Sequence, residues 1–197
     1  MSNFLAVDTS SRYLTVLAVK GGKAVLRHVP DCALQHSVAL MGEIDAALKE
    51  AGLDPGECDF FAAVTGPGSF TGIRIGISTV KGFAVATGKP LVAVTAFELI
   101  AYNVEDNNFY VVIDAAHSHY YVCGFGNGLN PCYMGAEEVA GLGAPLYGFE
   151  DLPFENYKKL DIKDCLYPAV VRCSKNLSCN MHALYVRKSQ AEEGRKC

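Results

Sequence analysis

An α/β fold is predicted by three features of this chain. The run Gly66-Pro67-Gly68-Ser69-Phe70-Thr71-Gly72-Ile73-Arg74-Ile75-Gly76 lies between a short apolar stretch, Phe60 to Thr65, and a long one, Ile75 to Ala86. That order reads as strand, glycine loop and helix. Leu40, Met41, Ile44, Ala47, Leu48 and Ala51 recur at helical spacing, and Gly52 suits the position just past a helix end. Short β-rich runs near the start flank Gly21-Gly22, which reads as a tight hairpin turn.

Taken in order, Phe4-Leu5-Ala6-Val7 forms the first strand and ends at Asp8-Thr9-Ser10-Ser11. Tyr13 to Val19 and Ala24 to Val29 are the second and third strands. The first helix runs from Gln35 to Ala51, and Phe60 to Thr65 is a buried strand. The second helix spans Phe70 to Thr87, where Lys89-Pro90 breaks it. Leu91 to Val94 is a strand and Phe97 to Tyr102 a short helix. A second half begins near Asn107, with Phe109 to Ile113 leading into Asp114 and Tyr120 to Phe125 as its hairpin partner. Strand-then-Asp at both Asp8 and Asp114 hints at a duplicated unit. Residues 128–180 are rich in Gly, Pro, Asn and Tyr, and their poor periodicity assigns no elements.

Three meandering strands, a helix, a strand, a helix and a strand is the order of an RNase H-like α/β unit. Two such units make the actin/Hsp70/sugar-kinase (ASKHA) architecture. The predicted division is residues 1–104 and a smaller second lobe, 105–197.

Half of the 197 residues are apolar and 19% are charged, a globular composition with room for a core. No apolar run reaches membrane-spanning length. Met1-Ser2-Asn3-Phe4 offers no basic, apolar leader, so a cytoplasmic protein with no membrane partner is expected. The net charge of −4 argues against a stand-alone nucleic-acid binder, since phosphate contact needs a basic patch. The eight cysteines form no Cys-x-x-Cys pair. Cys173, Cys179 and His182 lack the spacing of a structural zinc site. No metal and no cofactor are expected.

The glycine loop is not a Walker motif, because no Gly-Lys-Ser/Thr follows it. It also departs from the dinucleotide fingerprint, with Thr71 where the third glycine belongs. Pro67 removes an N–H that a phosphate cradle would use. The plainer reading is a turn whose glycines serve backbone packing.

Val7-Asp8-Thr9-Ser10-Ser11, His36-Ser37 and the Gly66–Gly76 string together resemble the bacterial TsaB (YeaZ) family. Ile113-Asp114-Ala115, Leu184-Tyr185-Val186-Arg187 and Ala191-Glu192 add to the match, which covers roughly residues 3 to 125 well. The resemblance implies a noncatalytic relative of the transferase TsaD. Such a subunit pairs with TsaD and works with the ATPase TsaE. TsaD then moves a threonylcarbamoyl group from threonylcarbamoyl-adenylate to N6 of the adenosine beside the anticodon of tRNA. It implies tRNA contact only through the complex, and a homodimer when the chain is alone. No catalytic residue is carried over. His36 has no histidine on the next turn, where Leu40 stands, and Asp8-Thr9-Ser10-Ser11 lacks the glycine of ATP-using relatives. Val38 and Gly42 depart from the family pattern, and the short tail implies a reduced second lobe.

On this reading the two long helices form the pairing surface, through His36, Leu40, Met41, Ile44, Gly72, Ile73, Gly76, Ile77 and Val80. The same residues would equally serve as core facing the sheet. Gly72 and Gly76, one turn apart, would let a partner helix approach. Asp8, Thr9, Ser10 and Asp114 mark a vestigial phosphate site, with Asp8 capping a turn as the favoured role. Arg74 would bind an anion or form a local ion pair. His36 is positional, and His117 and His119 share one face of a strand edge. The alternative function is an ATP-dependent kinase or transferase using Asp8, Asp114 and the loop. A peptidase ranks last, because no Gly-x-Ser-x-Gly or His-Glu-x-x-His motif is present and Ser69 lacks a base.

Overall fold

The computed structural model describes residues 2–187. Ala191 and Glu192 lie outside the described residues. Among the described residues ten strands form two five-stranded sheets. The first holds β1 (Phe4–Asp8), β2 (Leu14–Lys20), β3 (Lys23–Val29), β4 (Phe60–Val64) and β5 (Leu91–Val94), in the order β3-β2-β1-β4-β5. The second holds β6 (Phe109–Asp114), β7 (His119–Phe125), β8 (Cys132–Gly135), β9 (Leu146–Gly148) and β10 (Tyr157–Lys159), in the order β10-β9-β6-β7-β8. In both, the first three strands meander antiparallel and the last two join parallel to the first. The two sheets therefore share one topology.

Their crossovers differ. In the first half, α1 (His36–Ala51) and α2 (Phe70–Thr87) carry the chain between parallel strands. Gly52 and Gly88 end these helices in the left-handed conformation, at φ 61° and 71°. In the second half the crossover helix α4 (Ala136–Ala140) is one short turn, and β9 reaches β10 without a helix. The remaining helices, α3 (Ala96–Ala101) and α5 (Ile162–Cys173), follow β5 and β10.

The layers follow from strand alternation. Leu5, Val7, Phe61 and Ala63 pack under α1 and α2. On the other face, Phe4, Ala6, Phe60 and Ala62 meet Leu99 and Ile100 of α3 and Leu166 and Ala169 of α5. That same cluster continues into Val111, Ile113 and Cys123 of the second sheet. The far face of the second sheet is closed by Val139, Leu152 and Phe154. β1 and β4 are buried on both faces, hence apolar throughout apart from Asp8 at the end of β1.

The predicted break at residue 104 falls in the connection between α3 and β6. The tail then returns to the first sheet. Ser178 pairs with Leu91 at the β5 edge, Met181 is buried beneath the helices, and the Leu184 N–H donates to the Thr65 carbonyl at 2.8 Å. Residues 178–184 thus make contacts with the first half, while Arg187 donates to the Tyr133 hydroxyl of β8 at 2.8 Å. Among the described residues no helix is long and apolar enough to cross a membrane.

Candidate functional site

The carboxyl ends of β1, β4, β6 and β9 converge on one cleft of about 1000 Å³, the position where open α/β sheets place ligands. Its walls are the Ser10–Tyr13 turn, the glycine loop at Pro67–Ser69, Asp114–Ala116 and Phe149–Leu152.

The glycine loop is filled by its own chain. A Cβ on Gly68 would collide with the Ser10 carbonyl, and one on Gly72 with the Thr9 carbonyl. The Ser69 N–H donates to the Ser10 carbonyl at 2.6 Å, and Thr9 Oγ1 donates to the Gly72 carbonyl at 2.7 Å. From the other side, Leu184 lies against Gly66. Ser69 caps α2 by accepting from the Gly72 N–H. The glycines therefore permit close backbone approach of the Asp8–Ser10 turn, the packing role rather than a phosphate cradle.

Asp8 is fully buried. Its carboxyl accepts from the Ser10 N–H at 2.9 Å, the Ser10 hydroxyl at 2.7 Å and the Tyr13 hydroxyl at 3.0 Å. Burial pushes its pKa above the usual carboxylate range, against these hydrogen bonds. Tyr13 is likewise buried, and burial followed by Asp8 raises its hydroxyl well above the ordinary value. The Tyr13 carbonyl meets His36 Nε2 at 2.9 Å, so His36 orders the start of α1. Asp8 caps its turn, as favoured above.

Asp114 stays exposed at the cleft, accepting from the Ala116 N–H at 2.9 Å. Its own N–H donates to Glu150 Oε2 at 2.7 Å. Glu150 lines the same cleft. Burial, with Asp114 adding to it, lifts its carboxyl to about 7 despite that hydrogen bond and the nearby Arg12. Sequence reasoning missed Glu150, which sits in the aperiodic stretch with no motif around it. Ala116, His117 and Ser118 adopt a left-handed turn, at φ 64°, 54° and 57°. His117 is therefore in a turn rather than on the strand edge expected, and His119 opens β7, stacked on Tyr133. Among the described residues no group of three His, Cys, Asp or Glu side chains is placed to hold a metal.

The predicted pairing surface needs correction. His36, Leu40, Ile44, Gly72, Ile73, Gly76, Ile77 and Val80 are all buried in the chain's own core. Gly76 packs on Thr9 Oγ1, 2.5 Å from where a Cβ would stand. The core-facing stripe of each helix had claimed them, because a helix buries only one face. Of the residues named, Met41 is exposed, at 54%. The outward face consists instead of Val38, 82% exposed, with Met41 on α1 and Val85, 86% exposed, on α2. Between the helices runs a groove lined by Leu40, Met41, Phe70, Arg74, Ile75 and Ser78. Among the described residues Arg74 has no carboxylate partner. Its Nε donates to the Tyr185 hydroxyl at 3.0 Å and its guanidinium lies 3.8 Å from the Phe70 ring centroid.

Comparison with known proteins places this geometry. The family model for TsaD, tRNA N6-adenosine threonylcarbamoyltransferase, matches residues 28–146. The chain is similar to the tRNA threonylcarbamoyladenosine biosynthesis protein TsaB of Bacillus subtilis (strain 168), at 29% identity over 50% of this chain and 43% of that protein. It is similar to the tRNA N6-adenosine threonylcarbamoyltransferase of Chelativorans sp. (strain BNC1), at 46% identity over 36% of this chain and 20% of that protein. The match thus spans less than half the length of either relative. The structure of YeaZ from Pseudomonas aeruginosa has the same fold, with a TM-score of 0.74 at 22% identity, over 94% of this chain and 100% of that one. By its matched residues and its relatives, the chain belongs to the TsaD family of tRNA threonylcarbamoyladenosine proteins, on its TsaB (YeaZ) side.

Proposed function

We propose that the chain is a noncatalytic accessory subunit that pairs with a TsaD-type transferase through the outer faces of α1 and α2. In that role it supports threonylcarbamoyl transfer from threonylcarbamoyl-adenylate to N6 of the adenosine beside the anticodon, alongside TsaE. Transfer RNA is met only through the complex, and the chain forms a homodimer when alone. The observation that carries this reading is the exposure of the apolar Val38 and Met41 on α1 and Val85 on α2, with a groove of mixed polarity between the two helices. Large side chains left in water on two neighbouring helices mark an interaction face. The internal filling of the Asp8 turn and glycine loop supports the noncatalytic part. The groups that a nucleotide-using relative would aim at phosphate are here bonded to one another.

Light scattering of the chain, alone and with the transferase of the same organism, tests this. The expected result is a homodimer that converts to a heterodimer, with Val38→Asp and Met41→Asp abolishing both while circular dichroism stays native. A wild-type chain that ignores the transferase overturns the reading. ATP turnover by the isolated chain would also overturn it, in favour of a kinase or transferase using the cleft.

A further inference from the structure

Helix α2 carries two charged residues, Arg74 and Lys81, and no acid. Seven residues apart, they stand two turns apart on one side of the helix. Among the described residues neither has a carboxylate partner. Arg74 is also held in place. Phe70 and Tyr185 stack at 4.7 Å, and the guanidinium lies over the Phe70 ring with Nε committed to the Tyr185 hydroxyl. An arginine fixed this way has lost much of its rotamer freedom before it binds. Its remaining N–H groups form a planar fork suited to a carboxylate.

We infer that Arg74 and Lys81 receive acidic side chains of the protein that docks on α1 and α2, an acidic helix or strand face rather than RNA or a second copy of this chain. This rests on the pairing reading above and adds the partner's chemistry to it. Three observations choose the occupant. The groove beside Arg74 mixes apolar Met41, Phe70 and Ile75 with the hydroxyls of Ser37, Thr71 and Ser78, and the whole chain is acidic at −4. Two cations in that setting do not make the basic patch that a phosphate backbone requires. A second copy would present α1, whose acids already have partners within their own chain. Glu43 and Glu50 pair with Arg27, and Asp45 pairs with Lys49. A partner with uncompensated carboxylates is the complement that remains.

The test is a binding titration of the TsaD-type transferase from the same organism against wild type, Arg74→Glu and Lys81→Glu, at low and high salt. Reversal sets like charges opposite each other, so each variant should weaken pairing by about tenfold or more at low salt. The wild type should weaken as salt rises, and the variants should respond less. Lys81→Glu leaves the Phe70–Tyr185 stack untouched, so its effect is not a folding effect, and native circular dichroism of both variants checks this. Wild-type affinity in both variants overturns the inference, and so does a loss of tRNA binding with protein pairing intact. If wild type itself fails to bind at any salt, the pairing reading falls. If wild type binds and the variants bind equally well, only the acidic-face assignment falls.

Discussion

Asp8 and Asp114 each end the first strand of a sheet, and each is followed by an antiparallel partner strand. Their surroundings are opposite. Asp8 is sealed under the glycine loop with three donors on its carboxyl. Asp114 stands exposed at the cleft, accepts from one backbone N–H and leads into a left-handed turn. The difference comes from what lies opposite each turn. The first half supplies a glycine loop and an eighteen-residue helix that close over Asp8. The second half has only a five-residue helix after β8, and its cleft side is lined by the half-buried Glu150. The same local motif becomes a structural cap in one half and a cleft wall in the other.

The sharpest way to break the comparison is Gly72→Ala. Helix propensity alone would make alanine the better residue by about 1 kcal/mol. Because its Cβ would collide with the Thr9 carbonyl, the expected result is a loss of roughly 4 kcal/mol or more in urea unfolding, or no folded protein. A stable variant would show that the loop does not clamp the Asp8 turn.

Next, Asp8→Ala and Asp114→Ala should differ widely. The first strands three buried donors and should cost about 2–4 kcal/mol. The second removes an exposed turn bond and should cost less than about 1 kcal/mol. Equal losses by chemical denaturation would erase the asymmetry.

The last effect is confined to a pH window. Glu150 has its carboxyl raised from 4.5 to about 7 in the folded state. Its contribution is therefore fully present below the unfolded value and is lost as pH rises through the folded one. Glu150→Gln should equal wild type near pH 4 and exceed it by about 1–3 kcal/mol above pH 7. A constant difference across the range would place Glu150 in water.

Much of the first half was legible. The α2 boundaries and β5 emerge as predicted, and α1 differs by one residue, because Ser69, Gly52 and Gly88 punctuate strongly periodic helices. In the second half β6 and β7 emerge within one residue of the expected strands, but the elements after them were not legible. β9 and β10 have three residues each, too few for an alternation, and α5 contains Pro168, which reads as a breaker. Glu150 has no signal beyond its charge. Its environment is assembled from Asp114 and Arg12, both distant in sequence, and from Tyr157, seven positions on.

The sequence by itself determined the order of elements as far as β7, the glycine loop and the family motif, since these rest on local spacing and turn chemistry. It could not divide the helical apolar residues between core and surface. A helix of period 3.6 shows which residues share a face, and Leu40, Ile44, Ile73 and Val80 do. Which of two faces meets the sheet depends on contacts across the chain, and here the sheet took those residues and left Val38, Met41 and Val85 outside. The role of Gly72 and Gly76 was settled in the same way, by the approach of Thr9 from more than sixty positions away.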